Sequence, residues 1–235
     1  MARADFNLVG RGPVVVGSFG SAAALRDSSL ATVHADCDIA EIRLDLLAAE
    51  GADTGHKAWQ HLEGFPLLFT ARRQDEGGPL ALIASARIAL LETALADASL
   101  IDVEVASIPE MRGLLDGRVP WVASMHDFGK LPGRDLLEAA LRTAIDAGAA
   151  CFKVAAMMRS TSDIVALTEF QNASHDIPVA TMGMGPLAPV SRLLCAQYGS
   201  ALNYGYLGTK PTAPGQWDAA LLKQAIQKSI VIPRI

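Results

Sequence analysis

The chain has 235 residues, 51% of them hydrophobic and 19% charged, which is enough apolar material for one sizeable core and too much for a disordered chain. A net charge of −5 with no Lys/Arg cluster argues against binding to nucleic acid or to an anionic membrane surface. Cys37, Cys151 and Cys195 lie far apart, with no C-x-x-C and no histidine at ligand spacing, which fits a reduced, cytoplasmic protein rather than a zinc module or disulfide scaffold.

In chain order, residues 1–12 come first and contain Phe6-Asn7-Leu8-Val9-Gly10-Arg11-Gly12, which reads as a short hairpin able to close the bottom of a barrel. The run 13–25 is no secretory core, because Asp5 precedes it and Gly17, Ser18, Gly20 and Ser21 interrupt it. The longest uncharged run, 193–209, carries Gln197, Ser200 and Asn203, and a membrane span needs about 20 mostly apolar residues. Short β-branched or apolar runs predict strands at 14–18, 39–44, 67–70, 100–105, 121–125, 151–155, 178–182 and 201–206. Helices are predicted near 21–31, 54–63, 81–97, 108–116, 134–147, 162–172, 187–197 and 216–228. The third has the clearest periodicity: Leu82, Ile83, Ala86, Leu90, Leu91 and Leu95 recur at helical spacing over about four turns. Eight strand–helix units exhaust the chain, which suits a single (β/α)8 TIM barrel over 1–235; a doubly wound open α/β sheet is the alternative.

Polar residues inside such a barrel are the candidates for chemistry, since active sites form at the C-terminal ends of its strands. In the second strand, Ile42, Leu44 and Leu46 share the parity that packs under helices, while Glu41, Arg43 and Asp45 share the other, which faces the lumen. An exposed edge strand with a paired charge row is the plainer alternative. Strand three ends at Thr70-Ala71-Arg72, and Arg73-Gln74-Asp75-Glu76-Gly77-Gly78 follows as a functional loop or a solvated turn. Strand five ends Ser124-Met125-His126-Asp127-Phe128. Strand six, Cys151-Phe152-Lys153-Val154-Ala155-Ala156-Met157, is apolar except for Lys153. That lysine either snorkels to the strand end or is a desolvated amine of lowered pKa, suited to nucleophilic attack and Schiff-base formation. His126, ending the neighbouring strand, would be the base beside the imine. The glycines of Thr181-Met182-Gly183-Met184-Gly185 suit close approach to a ligand. Arg192 follows within a helix, and 207–216, with two glycines and two prolines, reads as a lid loop.

Taken together, these segments resemble type I 3-dehydroquinate dehydratases: Glu41-Ile42-Arg43-Leu44-Asp45, Phe69-Thr70-Ala71-Arg72 with Glu76-Gly77-Gly78, Ser124-Met125-His126-Asp127-Phe128, and Phe152-Lys153-Val154-Ala155. Met182-Gly183-Met184-Gly185 through Ser191-Arg192, then Gly199-Ser200 and Ala213-Pro214-Gly215-Gln216, continue the series in the family's order. The resemblance implies dehydration of 3-dehydroquinate to 3-dehydroshikimate, with Lys153 as the Schiff-base lysine, His126 as general acid/base and Glu76 as the carboxylate that orients it. It implies that Arg192 clamps the substrate carboxylate. Glu41, Arg43, Arg72, Thr212 and Gln216 would contact ring hydroxyls and carboxylate, and Met184 would pack on the ring. No metal or organic cofactor is implied, nor any nucleic-acid or membrane partner; a homodimer is. Ile42, Ala71, Met158 and Thr212 depart from the family's usual residues, and only Thr212 stands in the lid. Two other readings of the lysine barrel are a Schiff-base aldolase acting on a sugar phosphate and a catalytically silent metabolite-binding barrel.

Overall fold

The computed structural model describes residue 4, residues 6–8 and residues 12–229, apart from the side chains at 56 and 57. Eight strands form one parallel sheet: β1 Val14–Phe19, β2 Ile39–Arg43, β3 Leu67–Thr70, β4 Leu100–Glu104, β5 Trp121–Asp127, β6 Cys151–Met157, β7 Val179–Met184 and β8 Leu202–Leu207. Their order is β7-β6-β5-β4-β3-β2-β1-β8, so the last strand returns to pair with the first through Val14–Phe19. That return makes a nearly closed barrel and disposes of the doubly wound open sheet, in which the strand order reverses instead of wrapping round.

The remaining seam, between β7 and β8, carries no continuous ladder; it is stitched at its lower end by the Ala201 N–H donating to the Val179 carbonyl (2.9 Å). Nine α-helices lie outside among the described residues: α1 Ala22–Arg26, α2 Leu30–Asp36, α3 Leu44–Ala49, α4 Ala84–Ala94, α5 Ile108–Met111, α6 Arg134–Asp146, α7 Thr161–Asn172, α8 Ala188–Gln197 and α9 Ala219–Lys228.

Several expected boundaries move, for local reasons. The helix expected over 21–31 is two helices, each started by its own serine cap, Ser21 and Ser29, accepting from the third backbone N–H beyond it. The segment expected as a helix over 54–63 is a 3-10 turn, His56–Leu62. Strand β2 stops at Arg43, so Asp45 lies not on a strand but in the first turn of α3, where an acid is favoured by the helix dipole. The third expected helix shrinks to α4; Leu82 and Ile83 precede it, and its buried face is Arg87, Leu91 and Ala94.

Two apolar regions follow from strand alternation. Ile42, Phe69, Ile101, Val103, Ala123, Phe152 and Val154 point outward under the helices. Val14, Val16, Ile39, Leu68, Leu100, Val122, Cys151, Ala180 and Leu202 point inward and form the floor of the lumen, with Phe6 and Leu8 packed against them. The hairpin expected over 1–12 lies largely outside the described residues. Two positions further along the same strands, the inward residues are Ser18, Glu41, Thr70, Asp102, Ser124, Lys153, Met182 and Tyr204. The floor is oily and the storey above it polar.

Candidate active site

The upper lumen opens into a cleft lined by Glu41, Arg43, Arg72, Glu76, His126, Lys153, Met184, Arg192, Thr212 and Gln216, with Ser18, Ala155, Met182 and Tyr204 among the rest of its wall. All ten residues singled out from the sequence therefore meet in one place.

Lys153 is 3% exposed and is not the isolated amine that an apolar strand suggests. Its Nζ donates to Asp102 Oδ2 on β4 at 2.8 Å and lies over the Tyr204 ring, 4.2 Å from the centroid. Asp102 Oδ1 accepts from Ser124 Oγ at 2.6 Å and pairs with Arg72 Nη1 at 2.9 Å. Burial alone would raise the Asp102 pKa, but Arg72 and Lys153 outweigh it and hold the carboxyl well below the usual range.

His126 is the penultimate residue of β5, beside Ala155 of β6, and its ring and backbone share one partner. Glu76 Oε2, on the 3-10 turn Gln74–Glu76, lies 2.9 Å from His126 Nδ1 and accepts the His126 backbone N–H at 2.8 Å. With that oxygen acting as acceptor, Nδ1 carries the ring proton and Nε2 is left as a base. Burial, then the charges of Arg72 and Lys153, push the imidazole pKa well below its ordinary value. Burial also pushes the Glu76 carboxyl up to about 7. The 2.9 Å contact between Nδ1 and Oε2 couples the protonation of the two groups. Gly77 permits this turn: its φ is +95°, and Phe128 of the segment after β5 packs where a side chain would stand.

The arginines differ in one respect. Arg43 forks onto Asp45, with Nε and Nη2 at 2.9 and 2.6 Å, and Arg72 pairs with Asp102 and Glu104. Arg192, 3% exposed, meets no carboxylate among the described residues. Its Nε donates to the Gly183 carbonyl (3.1 Å) and its Nη1 to the Tyr204 carbonyl (2.7 Å), so it spans the β7–β8 seam where the ladder is missing. Burial without an anion lowers its pKa to about 10. It is no ordinary surface arginine. Gly183, expected to admit a ligand, instead admits α8: a β-carbon there would collide with Ser191 Oγ, the residue before Arg192.

Glu41 likewise forms no ion pair among the described residues; it accepts from Ser18 Oγ and from Thr70 Oγ1 (2.7 Å). The loop after β8 reaches the cleft wall, with Gln216 Oε1 accepting both the Thr212 N–H and its hydroxyl at 2.8 Å, and the Gly185 N–H donating to the Pro214 carbonyl at 3.1 Å. Asp102, Glu104, Ser124 and Tyr204 were not picked out from the sequence. The signal for the two acids was present, since they alternate in Leu100-Ile101-Asp102-Val103-Glu104 as Glu41 and Arg43 do in β2. Cysteine is no nucleophile here: burial pushes Cys37 and Cys151 up to about 12 and Cys195 up to about 11.

Residues 19–232 match the family model for type I 3-dehydroquinase. The 3-dehydroquinate dehydratase of Methanothrix thermoacetophila is 34% identical over 215 residues, covering 92% of this chain and 91% of that protein. The crystal structure of 3-dehydroquinate dehydratase from Geobacillus kaustophilus superposes with a TM-score of 0.80 at 26% identity, over 93% of this chain and 91% of that one. The type I enzyme from Clostridium difficile, solved with covalently modified comenic acid, gives a TM-score of 0.76 at 26% identity, over 93% and 92% of the two chains.

Proposed function

The chain belongs to the type I 3-dehydroquinase family, lyases that remove water from 3-dehydroquinate in the shikimate pathway, and we propose that it does so through an imine on Lys153 with His126 as general acid/base. The observation that carries this reading is the convergence of a buried lysine, a neutral imidazole and an arginine lacking an anion on one cleft.

The reaction removes a proton α to a ketone and expels a β-hydroxyl. The ketone is a modest electron sink. Condensing it with Lys153 releases one water and leaves a positive imine nitrogen, into which the α-carbon's electron pair can flow. Tyr204's ring face and the Asp102 carboxylate lie against that nitrogen, so positive charge is tolerated there despite burial. His126 Nε2 takes the α-proton, and the resulting imidazolium returns it to the departing hydroxide, which leaves as a second water. Hydrolysis of the conjugated imine consumes one water and frees Lys153 and the enone. Because the nitrogen is the sink, these steps call for neither a metal ion nor an organic cofactor.

Glu76 holds His126 by two contacts to one oxygen, one from the ring Nδ1 and one from the backbone N–H, and its carboxyl, pushed up to about 7, lets the pair serve as base and then acid. Arg192 clamps the substrate carboxylate, because its guanidinium is the one in the wall without an acid, whereas Arg43 and Arg72 are already paired. Arg43 and Arg72 then act as shaped, neutralised walls near the ring. Glu41 accepts ring hydroxyls in place of a cation, Thr212 and Gln216 close over the substrate, and Met184 packs against the ring. The protein would work as a cytoplasmic homodimer; its three cysteines are free and buried, as suits a reducing compartment.

The test is to supply 3-dehydroquinate and follow the conjugated enone by ultraviolet absorbance. Growth of that band supports the reading. Its absence, with turnover of a sugar phosphate or none, would favour the aldolase or the silent barrel.

A further inference from the structure

Arg87 lies on the face of α4 that packs on the barrel and is 2% exposed, at a place in the stripe with Leu91 and Ala94 where an apolar residue would serve packing alone. Its Nη1 donates to Glu104 Oε2 at 2.8 Å and its Nη2 to Ser107 Oγ at 2.9 Å; the Ser107 hydroxyl donates to the same Glu104 oxygen at 3.1 Å. The other Glu104 oxygen accepts Arg72 Nη1 and the Arg73 backbone N–H, each at 3.0 Å. Arg72 pairs in turn with Asp102, and Asp102 with Lys153. Arg87, Glu104, Arg72, Asp102 and Lys153 thus alternate in sign without a gap, from an outer helix to the nitrogen in the cleft. Burying such a run costs desolvation that an apolar side chain at 87 would avoid, so stability is a poor reason for it.

We propose that Arg87 is a positioning residue for the reaction, one that sets through Glu104, Arg72 and Asp102 how firmly the Lys153 nitrogen is held as an ammonium. The inference rests on the imine reading of Lys153. Without Arg87, Glu104 has only Arg72 as a side-chain cation within the barrel, and draws it away from Asp102. Asp102 then gives more of its charge to Lys153, and free amine becomes available only at higher pH. The groups that face Lys153 are Asp102 from β4, Arg72 from beyond β3, Glu41 and Arg43 from β2, His126 from β5, Tyr204 from β8, Glu76 from the loop after β3 and Arg192 from α8, with Cys151 on its own strand. Arg87 forms ion pairs with Glu104 and, at 3.5 Å, with the exposed Glu110, so within this set its influence runs by way of Glu104.

The experiment is borohydride trapping of the substrate imine as a function of pH, with thermal melts to establish folding. In Arg87→Met the midpoint of trapping should move upward by about half a pH unit or more, Arg87→Lys should restore part of it, and in a Glu104→Gln background Arg87→Met should add little further shift. A folded Arg87→Met with an unmoved midpoint, or an undiminished shift in the Glu104→Gln background, would overturn the relay. A merely structural role would lower trapping at every pH alike. If Arg87→Met does not fold, a smaller upward shift in Arg87→Lys supports the relay and an unshifted one contradicts it. If wild type traps nothing at any pH, the imine reading fails instead, and the relay is judged by the same shift in the pH profile of turnover.

Discussion

The floor and the upper storey of the lumen are built from the same strands at the same parity, two residues apart, yet one is Val16, Ile39, Leu68, Leu100, Val122 and Cys151 and the other Ser18, Glu41, Thr70, Asp102, Ser124 and Lys153. The floor needs nothing from its neighbours except volume, and burying each large side chain contributes about 1.5–3 kcal/mol. Each polar residue above it must find a partner, at about 1–3 kcal/mol for every buried group left unpaired. The carboxylates manage this by sharing: Asp102 serves Lys153, Arg72 and Ser124, and Glu104 serves Arg72, Arg73 and Arg87. Rigid packing below therefore supports a charge network above whose balance can be set for chemistry.

That division makes the two storeys separable by mutation. The largest effect on turnover is expected from His126→Ala, which should lower kcat about 10²- to 10⁴-fold while still allowing the imine to be trapped. Full activity in that variant would remove the histidine from the upper storey's chemistry. Next comes the Glu76–His126 pair. With the Glu76 carboxyl pushed up to about 7, the pair loses its proton as pH rises through neutrality, so kcat/KM should climb through about pH 7. Glu76→Gln cannot ionise and should lack that limb; a pH profile identical to wild type would show that the pair does not titrate as a unit. The smallest effect on turnover belongs to the floor. Leu100→Ala should cost about 2–5 kcal/mol by chemical denaturation, with kcat within about threefold of wild type while the protein stays folded. Loss of activity without loss of stability there would blur the boundary between the storeys.

The alternation of Glu41 and Arg43 with Ile42 was readable because β2 is short, buried and charged on one side only. The same alternation in β4 is harder to read for Asp102 and Glu104, since an acid in a strand looks like an edge residue until its cations, which come from the loop after β3, from β6 and from α4, are known. Arg87 was hidden more deeply: the apolar periodicity around it was strong, and Leu82 and Ile83 drew the helix too far toward its N-terminus. Asp45 leaves the alternation of Glu41 and Arg43 because the chain turns directly from β2 into α3 at Leu44, a boundary that periodicity fixes poorly. Lys153 and His126 stand out as residues, but the lowered imidazole pKa of His126 does not, since burial and the nearby guanidinium of Arg72 act across strands distant in sequence. The bridging of the β7–β8 seam by Arg192 depends on where the ladder fails.

The most direct measurement is to incubate the protein with 3-dehydroquinate, reduce with borohydride and map the added mass by peptide mass spectrometry. The expected result is one stable adduct carried by the peptide containing Lys153, and none in Lys153→Ala. An unmodified Lys153 peptide in protein that still turns substrate over, or an adduct on another lysine, would contradict it.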